Sequence, residues 1–252
     1  MCAHAPTSAP RYRLAADRLE RRIAAGEIVA HERVPSEREL ADELGISRMT
    51  ARQAIELLVG RGLVYRRPGA GTFVSPPRIE HTLQGLAGFS KQMRTQGIDP
   101  SGLVLQLELQ TADPEVAAAL RLRRGAKVWI LRRIRYGDGE PLLVETSYVP
   151  NAVCPRLGRF DLGQESLYGL MRSVYGVVPR RAHEEIDPTT LESTEAAHLD
   201  ARPGSPAIRV TRTTSAAAGR PIEYAVDLYR GDRARFVIDR RSSMRPAARP
   251  DA

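Results

Sequence analysis

The hydrophobic rhythm of the chain changes once, near residue 75. Before that point apolar residues recur at helical spacing. Ala15, Leu19 and Ile23 stand four apart with Arg18, Arg21 and Arg22 between them, which predicts a helix from Tyr12 to Ala25 closed by Gly26. Ser36 followed three residues later by Glu39 is a capping-box pair. A second helix is therefore expected there, with Leu40, Ala41 and Leu44 inward and Gly45 at its end. Ser47 caps a third helix, whose Ala51, Ala54, Ile55 and Leu58 form one apolar stripe. That stripe turns Met49, Arg52 and Gln53 outward and leaves Arg48 and Thr50 on the exposed first turn. Beyond Gly60-Arg61-Gly62, the runs Leu63–Arg67 and Thr72–Val74 flank a glycine-rich turn and predict a two-stranded hairpin.

Two short helices joined at a glycine, the second with an arginine-bearing outer face, and then a hairpin, describe a winged helix-turn-helix. The start of its third helix favours phosphate, and Arg48 and Arg52 are long enough to reach guanine edges or the backbone. Residues 35–74, PSERELADELGISRMTARQAIELLVGRGLVYRRPGAGTFV, resemble the winged-helix domain of the GntR family of bacterial regulators. The resemblance implies DNA contacts at Arg38, and at Arg48, Met49, Thr50 and Arg52 behind the Ser47 cap. It departs from the family at Ala70, where a Lys or Arg is usual between the two wing glycines. Wing contact is then expected from Arg66, Arg67 and the backbone at Gly69 and Gly71.

Past Ser75-Pro76-Pro77-Arg78 the alternation becomes that of strands, since paired prolines break both helix and ladder. Strands are expected at 103–109, 127–136, 142–149, 181–186, 207–214, 222–229 and 236–240. Helices are expected at 90–96, 114–120, 166–175 and 191–199. The fold class is α+β: a winged helix followed by a mixed α/β domain with a mainly antiparallel sheet. Domain limits follow: a tail over 1–10, the DNA-binding domain over 11–75, a linker over 76–82, a second domain over 83–241 and a tail over 242–252. An internal repeat crosses the second domain. Ala117-Ala118-Ala119-Leu120 with Gly125 recurs as Ala196-Ala197-His198-Leu199 with Gly204, each copy leading to a strand, a Gly-Glu-Pro or Gly-Arg-Pro turn and another strand. Two helix-plus-hairpin halves sharing one sheet explain that spacing, although an Ala- and Arg-rich chain also produces such similarity by chance.

Composition adds less. The 252 residues carry a net charge of +8, almost wholly from arginine, with lysine at positions 91 and 127 alone. Residues 1–80 hold 13 Arg against 10 Asp or Glu, so the surplus is not concentrated on the helix-turn-helix and says little about the partner. No apolar run reaches membrane-spanning length and the N-terminus has no export pattern. Two cysteines, Cys2 and Cys154, make no disulfide framework, so a cytoplasmic setting is expected.

Three features of the second domain suggest an anion site. Arg133 and Arg135 stand two apart, so a strand puts both guanidinium groups on one side. Ser166-Leu167-Tyr168 opens a helix with a hydroxyl and free N–H groups. Glu145 and Glu223 follow the two turns, placed to accept from sugar hydroxyls. A surface arginine pair and an ordinary N-cap serine fit the same residues. Residues 83–240 resemble the UTRA effector domain of the HutC branch of GntR regulators. The stretches that carry the resemblance are Phe89-Ser90, RIRYGDGEPLLVETSYVP, Ser166-Leu167-Tyr168, Pro221-Ile222-Glu223-Tyr224 and Tyr229-Arg230-Gly231-Asp232. It implies a phosphate held by Arg133, Arg135, Ser166, Tyr168 and the backbone at Phe89-Ser90, with Glu145, Glu223 and Tyr229 on the sugar side. It also implies a chorismate lyase-like fold.

The expected function is a DNA-binding transcriptional regulator, a repressor released from an inverted-repeat operator by a small anionic metabolite such as a sugar phosphate. It is expected to act as a homodimer away from membranes, with no metal or other cofactor. Two rivals stand beside it. One is a ligand-independent regulator whose second domain only dimerises. The other is a lyase-like enzyme, against which the sequence offers no paired acid and base, no nucleotide loop and no metal spacing among its five histidines.

Overall fold

The structure, a computed structural model, describes residues 9–67, 69–76, 78–82 and 85–238. Both expected tails fall mainly outside that range, as do Cys2, Pro77 and the end of the strand expected at 236–240. The chain divides between Arg78 and Ile79 into two units.

The first unit holds α1 (Arg11–Ala24), α2 (Glu37–Leu44), α3 (Arg48–Gly60), β1 (Val64–Arg67) and β2 (Gly71–Val74). Local chemistry sets its boundaries. The Ser36 hydroxyl accepts from the Glu39 amide while the Glu39 carboxylate accepts from the Ser36 amide, so both ends of the capping box are made. Gly45 closes α2 in the left-handed conformation at φ 61°, which a residue with a Cβ adopts at a cost. Ser47 then caps α3 by accepting from the Thr50 amide. Ala51, Ala54, Ile55 and Leu58 are buried, and with Ala15, Ala16, Leu19, Leu40, Val64 and Val74 they form the core that fixes the three helices and the hairpin. β1 and β2 pair antiparallel from Val64–Val74 to Arg67–Gly71.

The second unit is built on a six-stranded antiparallel sheet. Its strands are β4 (Pro100–Thr111), β5 (Lys127–Gly137), β6 (Glu140–Pro150), β7 (Arg181–Thr190), β8 (Pro206–Ser215) and β9 (Pro221–Arg230). Their order across the sheet is β4-β5-β6-β9-β8-β7. The order mirrors about the β6–β9 pair, and the two halves are the two copies of the sequence repeat. Each half runs helix, strand, helix, hairpin. The first uses α4 (Phe89–Thr95) and α5 (Pro114–Ala119), the second α6 (Leu167–Ser173) and α7 (Ser193–His198).

Strand parity sorts the faces. Ile134, Val144 and Leu228 share one face with the hydrophobic residues of α5 and α7 and of the turns after them, Val116, Leu120, Ala196 and Leu199. Leu131, Leu143 and Tyr229 lie on the other, under Met93 of α4 and Leu167, Leu170 and Met171 of α6. Residues Ile79–Thr82, within the segment expected as linker, form β3 instead. It pairs in parallel with β10 (Ala234–Val237), from Ile79 beside Ala234 to Thr82 beside Val237, and no sequence pattern links the two segments. The strands also run longer than expected, because the ladder continues through polar ends such as Asp187–Thr190 that alternation does not mark.

Candidate effector cavity and DNA-binding surface

In the first unit the expected contact residues lie on the outside. Met49 is 63% exposed, and Arg38, Arg48 and Arg52 are exposed as well. Arg38 of α2, Arg48 of α3 and Gly71 of the hairpin line one shallow depression together with Arg33. Arg33 was not anticipated: its side chain passes where a Cβ on Gly71 would lie, 2.9 Å from Nε. Thr50 is half-buried and its hydroxyl lies 2.8 Å from that of Ser47, so both serve the helix cap. Arg52 donates to Glu56 at 2.9 Å and Arg66 to Glu37 at 3.4 Å, both as exposed surface pairs. Arg67 lays its guanidinium over the rings of Tyr65 and Phe73. Gly69 sits in the hairpin turn at φ 73°, next to Ala70.

In the second unit all nine expected effector residues meet. Phe89, Ser90, Arg133, Arg135, Glu145, Ser166, Tyr168, Glu223 and Tyr229 line a single cavity of about 500 Å³ on the α4/α6 face of the sheet. A cavity of that size suits a small metabolite. Adjacent strands present Arg133, Glu145 and Asp227 in one cross-strand row, and Arg135, Leu143 and Tyr229 in the next.

The two arginines have different partners. Arg133 donates from Nε and Nη2 to Glu145, at 3.0 and 2.7 Å, and from Nη1 to the carbonyls of Leu162 and Glu165. It therefore ties the loop before α6 to the sheet. Arg135 donates from Nη2 to the Ser90 hydroxyl and stacks 4.6 Å from the centre of the Phe89 ring. Its Nε and Nη1 are buried and have no hydrogen-bond partner. Burial pulls its pKa down to about 10, with Glu145 acting against that, so it stays charged near neutrality. Gly102, its neighbour on β4, makes room for it: a Cβ there would lie 2.8 Å from Nη1.

Carboxylates expected to meet sugar hydroxyls are engaged by the protein itself. Burial works to raise the pKa of Glu145, but the guanidinium groups of Arg133, Arg135 and Arg212 outweigh it and hold the carboxyl below its ordinary value. Glu223 accepts from Ser147 at Oε1, and from the hydroxyls of Tyr168 and Thr214 at Oε2. The Tyr168 hydroxyl, expected on a phosphate, is committed to that network. Ser166 caps α6 by accepting from the Gly169 amide. Tyr229 packs edge-on against His81 of β3, at 4.6 Å between ring centres. Burial depresses the His81 pKa to about 4, so its ring is neutral and bonds Gln92 of α4.

Beyond Glu223 lie residues the sequence reading missed. Arg212 of β8 donates to Asp227 of β9 at 3.0 Å and stands 3.6 Å from Glu223 and 3.8 Å from Glu184. Burial works against its charge, but Asp227, Tyr168 and Glu223 more than offset this and hold the guanidinium protonated. Asp227 is raised to about 7, chiefly by burial, with Arg212 opposing and Glu145 and Glu223 adding to the rise. Among the described residues, no three His, Cys, Asp or Glu side chains gather as metal ligands would.

Residues 11–74 match the model of the bacterial regulatory proteins of the gntR family, and residues 95–235 match the UTRA domain. The latter covers more than half of the chain. The chain belongs to the GntR family. It is 35% identical over 228 residues to the HTH-type transcriptional repressor NagR of Bacillus subtilis, a match that covers 90% of this chain and 93% of that one. The mannosyl-D-glycerate transport/metabolism system repressor MngR of Escherichia coli is 29% identical over 91% of this chain and 95% of its own. Among solved structures, PhnF from Mycobacterium smegmatis superposes with a TM-score of 0.66 at 30% identity, over 91% of this chain and all of that one.

This GntR regulator is thus a DNA-binding transcription factor with an effector-type second domain, not an enzyme. No helix among its described residues is long and apolar enough to cross a membrane. Two signals in the sequence pointed toward the missed residues. Arg212 occupies in the second repeat the place of Arg133 in the first, counted from Gly204 and Gly125. Asp227 stands two residues before Tyr229, on the same side of β9.

Proposed function

We propose that this GntR regulator is a repressor that leaves its operator when a small anionic metabolite, of the sugar-phosphate class, fills the effector cavity. The observation that carries this reading is Arg135: a buried, charged guanidinium on the cavity wall with two donors unpartnered. A donor left without a partner out of water costs free energy, and an anion supplies the acceptors that the protein does not. Polar groups and aromatic rings share the lining, as an oxygen-rich ligand requires. NagR and MngR are both named repressors, and MngR is named for a sugar conjugate that contains an acid, which supports the same class of effector. A phosphate is the favoured anionic group on this reading, with a carboxylate or another anionic metabolite as the alternative.

The regulator acts as a homodimer, with its recognition helices α3 in successive major grooves of an inverted repeat. On DNA, Arg48, Met49 and Arg52 of α3 face the bases and backbone, with Arg38 and Arg33 alongside. The ligand regulates because it binds one arrangement of the chain better than the other.

A thermal-shift series tests the cavity. Inorganic phosphate, hexose 6-phosphates and small carboxylates are added to wild type and to Arg135→Gln. Stabilisation of the wild type that depends on the anionic group and is lost in the variant is expected. Equal stabilisation of both proteins, or none of either, would contradict the reading.

A further inference from the structure

The cavity has two ends of unlike charge. At the β5 end, Arg133, Arg135 and Glu145 leave one positive charge in excess. At the β8–β9 end Arg212, whose side chain is 15% exposed, faces three carboxylates, Asp227, Glu223 and Glu184, and the exposed Arg180 and Arg181 also line the cavity. Within that cluster Glu223 is saturated by hydroxyls of the protein, whereas Asp227 is not. Asp227 is 2% exposed and on the cavity wall. Its Oδ2 accepts from Arg212, and its Oδ1 has no partner. An acceptor buried in this way is as unusual as the unpartnered donors of Arg135, and both residues line the same cavity.

The register sets the distance between them. Arg135 lies one row along from Arg133, whose successive neighbours across β6 and β9 are Glu145 and Asp227, so β5 and β9 carry the two ends two strand spacings apart, about 10 Å. That is the length of a six-membered ring carrying an anionic group. Resting on the anion reading above, we propose that Asp227 is a specificity residue of the effector site. Its Oδ1 accepts a hydrogen bond from a hydroxyl or ammonium group on the part of the ligand remote from the anion. Arg212 is the positioning residue that locks the other oxygen. A site that offers a buried acceptor rejects analogues with no donor to meet it, far more strongly than an apolar pocket rejects a change of shape.

Titration calorimetry on the full chain tests the assignment with four probes: inorganic phosphate, glucose 6-phosphate, glucosamine 6-phosphate and cyclohexylmethyl phosphate. The last keeps the ring and the phosphate but has no donor on the ring. In Asp227→Asn, affinity for the two sugar phosphates is expected to fall about tenfold or more. Inorganic phosphate and cyclohexylmethyl phosphate stay within about twofold of wild type, because neither reaches Asp227 with a donor. A loss confined to glucosamine 6-phosphate identifies the donor as an ammonium, and a loss shared with glucose 6-phosphate identifies it as a hydroxyl. Sugar phosphates that bind the variant as they bind wild type would overturn the assignment while leaving the anion site standing. Equal losses for every probe would reduce Asp227 to a structural support and overturn it too. Failure of wild type to bind any phosphate would remove the anion reading and this inference together. Asp227→Ser, read in the same way, serves if the asparagine variant does not fold.

Discussion

Arginine does opposite work in the two units of this regulator. In the winged helix, the paired arginines Arg18, Arg22, Arg52, Arg61 and Arg66 keep between 30% and 58% of the side chain exposed, each beside an exposed carboxylate. In the effector unit, Arg133 and Arg135 keep 3%. Exposed pairs contribute little to stability and exchange partners easily. Buried ones are fixed by what surrounds them, and removing one partner strands a charge in a medium that cannot solvate it. The same residue type is therefore a loose contact on one unit and a built element of the other.

The sharpest way to break that comparison is Arg133→Ala. It leaves the buried Glu145 with no hydrogen-bonded arginine, its nearest guanidinium then being that of Arg135, 3.8 Å away, and frees the loop before α6. A loss of about 3–5 kcal/mol in chemical denaturation of the effector unit is expected, as for other broken buried pairs. A loss as small as that of a surface substitution would show that Arg133 is not the support described.

Next in size is a pair of opposed pH dependences. Asp227 has a raised pKa in the folded chain, so the native state binds the extra proton and stability falls as pH rises toward about 7. His81 has a depressed pKa, about 4, so the unfolded state binds the extra proton and stability rises with pH up to the ordinary histidine value. From pH 5 to 6.5 the two nearly cancel, each limited to about 1.4 kcal/mol per pH unit. Melting temperature should rise with pH in Asp227→Asn and fall with pH in His81→Phe across that range. The same trend in both variants would refute the assignment of these groups.

The smallest change belongs to the exposed unit. Arg52→Ala should weaken operator binding on the order of tenfold if it reads a base, with the melting temperature unchanged because its partner Glu56 is equally exposed. Filter binding at fixed salt, compared with melting curves, measures both. A drop in stability without a drop in affinity would place Arg52 in the fold instead of the interface.

The sequence was read unequally well in the two units, for a physical reason. Caps and apolar stripes are local, so Ser36, Glu39, Gly45 and Ser47 located α2 and α3 almost to the residue. The alternation of β5 likewise put Arg133 and Arg135 on one side, and the repeat indicated two halves in one sheet, though not their mirrored strand order. Hydrogen-bond partners are not local. Nothing in the spacing of Arg133 and Arg135 said that one is saturated by Glu145 and two carbonyls while the other is left with two free donors. Nor did any pattern reveal that β3 leaves the linker to pair with β10, or that Gly102 is small so that Arg135 fits. These depend on chain segments brought together by the fold.

The most direct test of the account is operator release. Fluorescence anisotropy would follow a labelled inverted-repeat operator bound by wild type and by Arg135→Gln, with and without a saturating hexose 6-phosphate. The account predicts equal affinity of both proteins for free operator, and release by the sugar phosphate from wild type alone. Release from both proteins alike, or a variant that no longer binds operator in the absence of ligand, would contradict it.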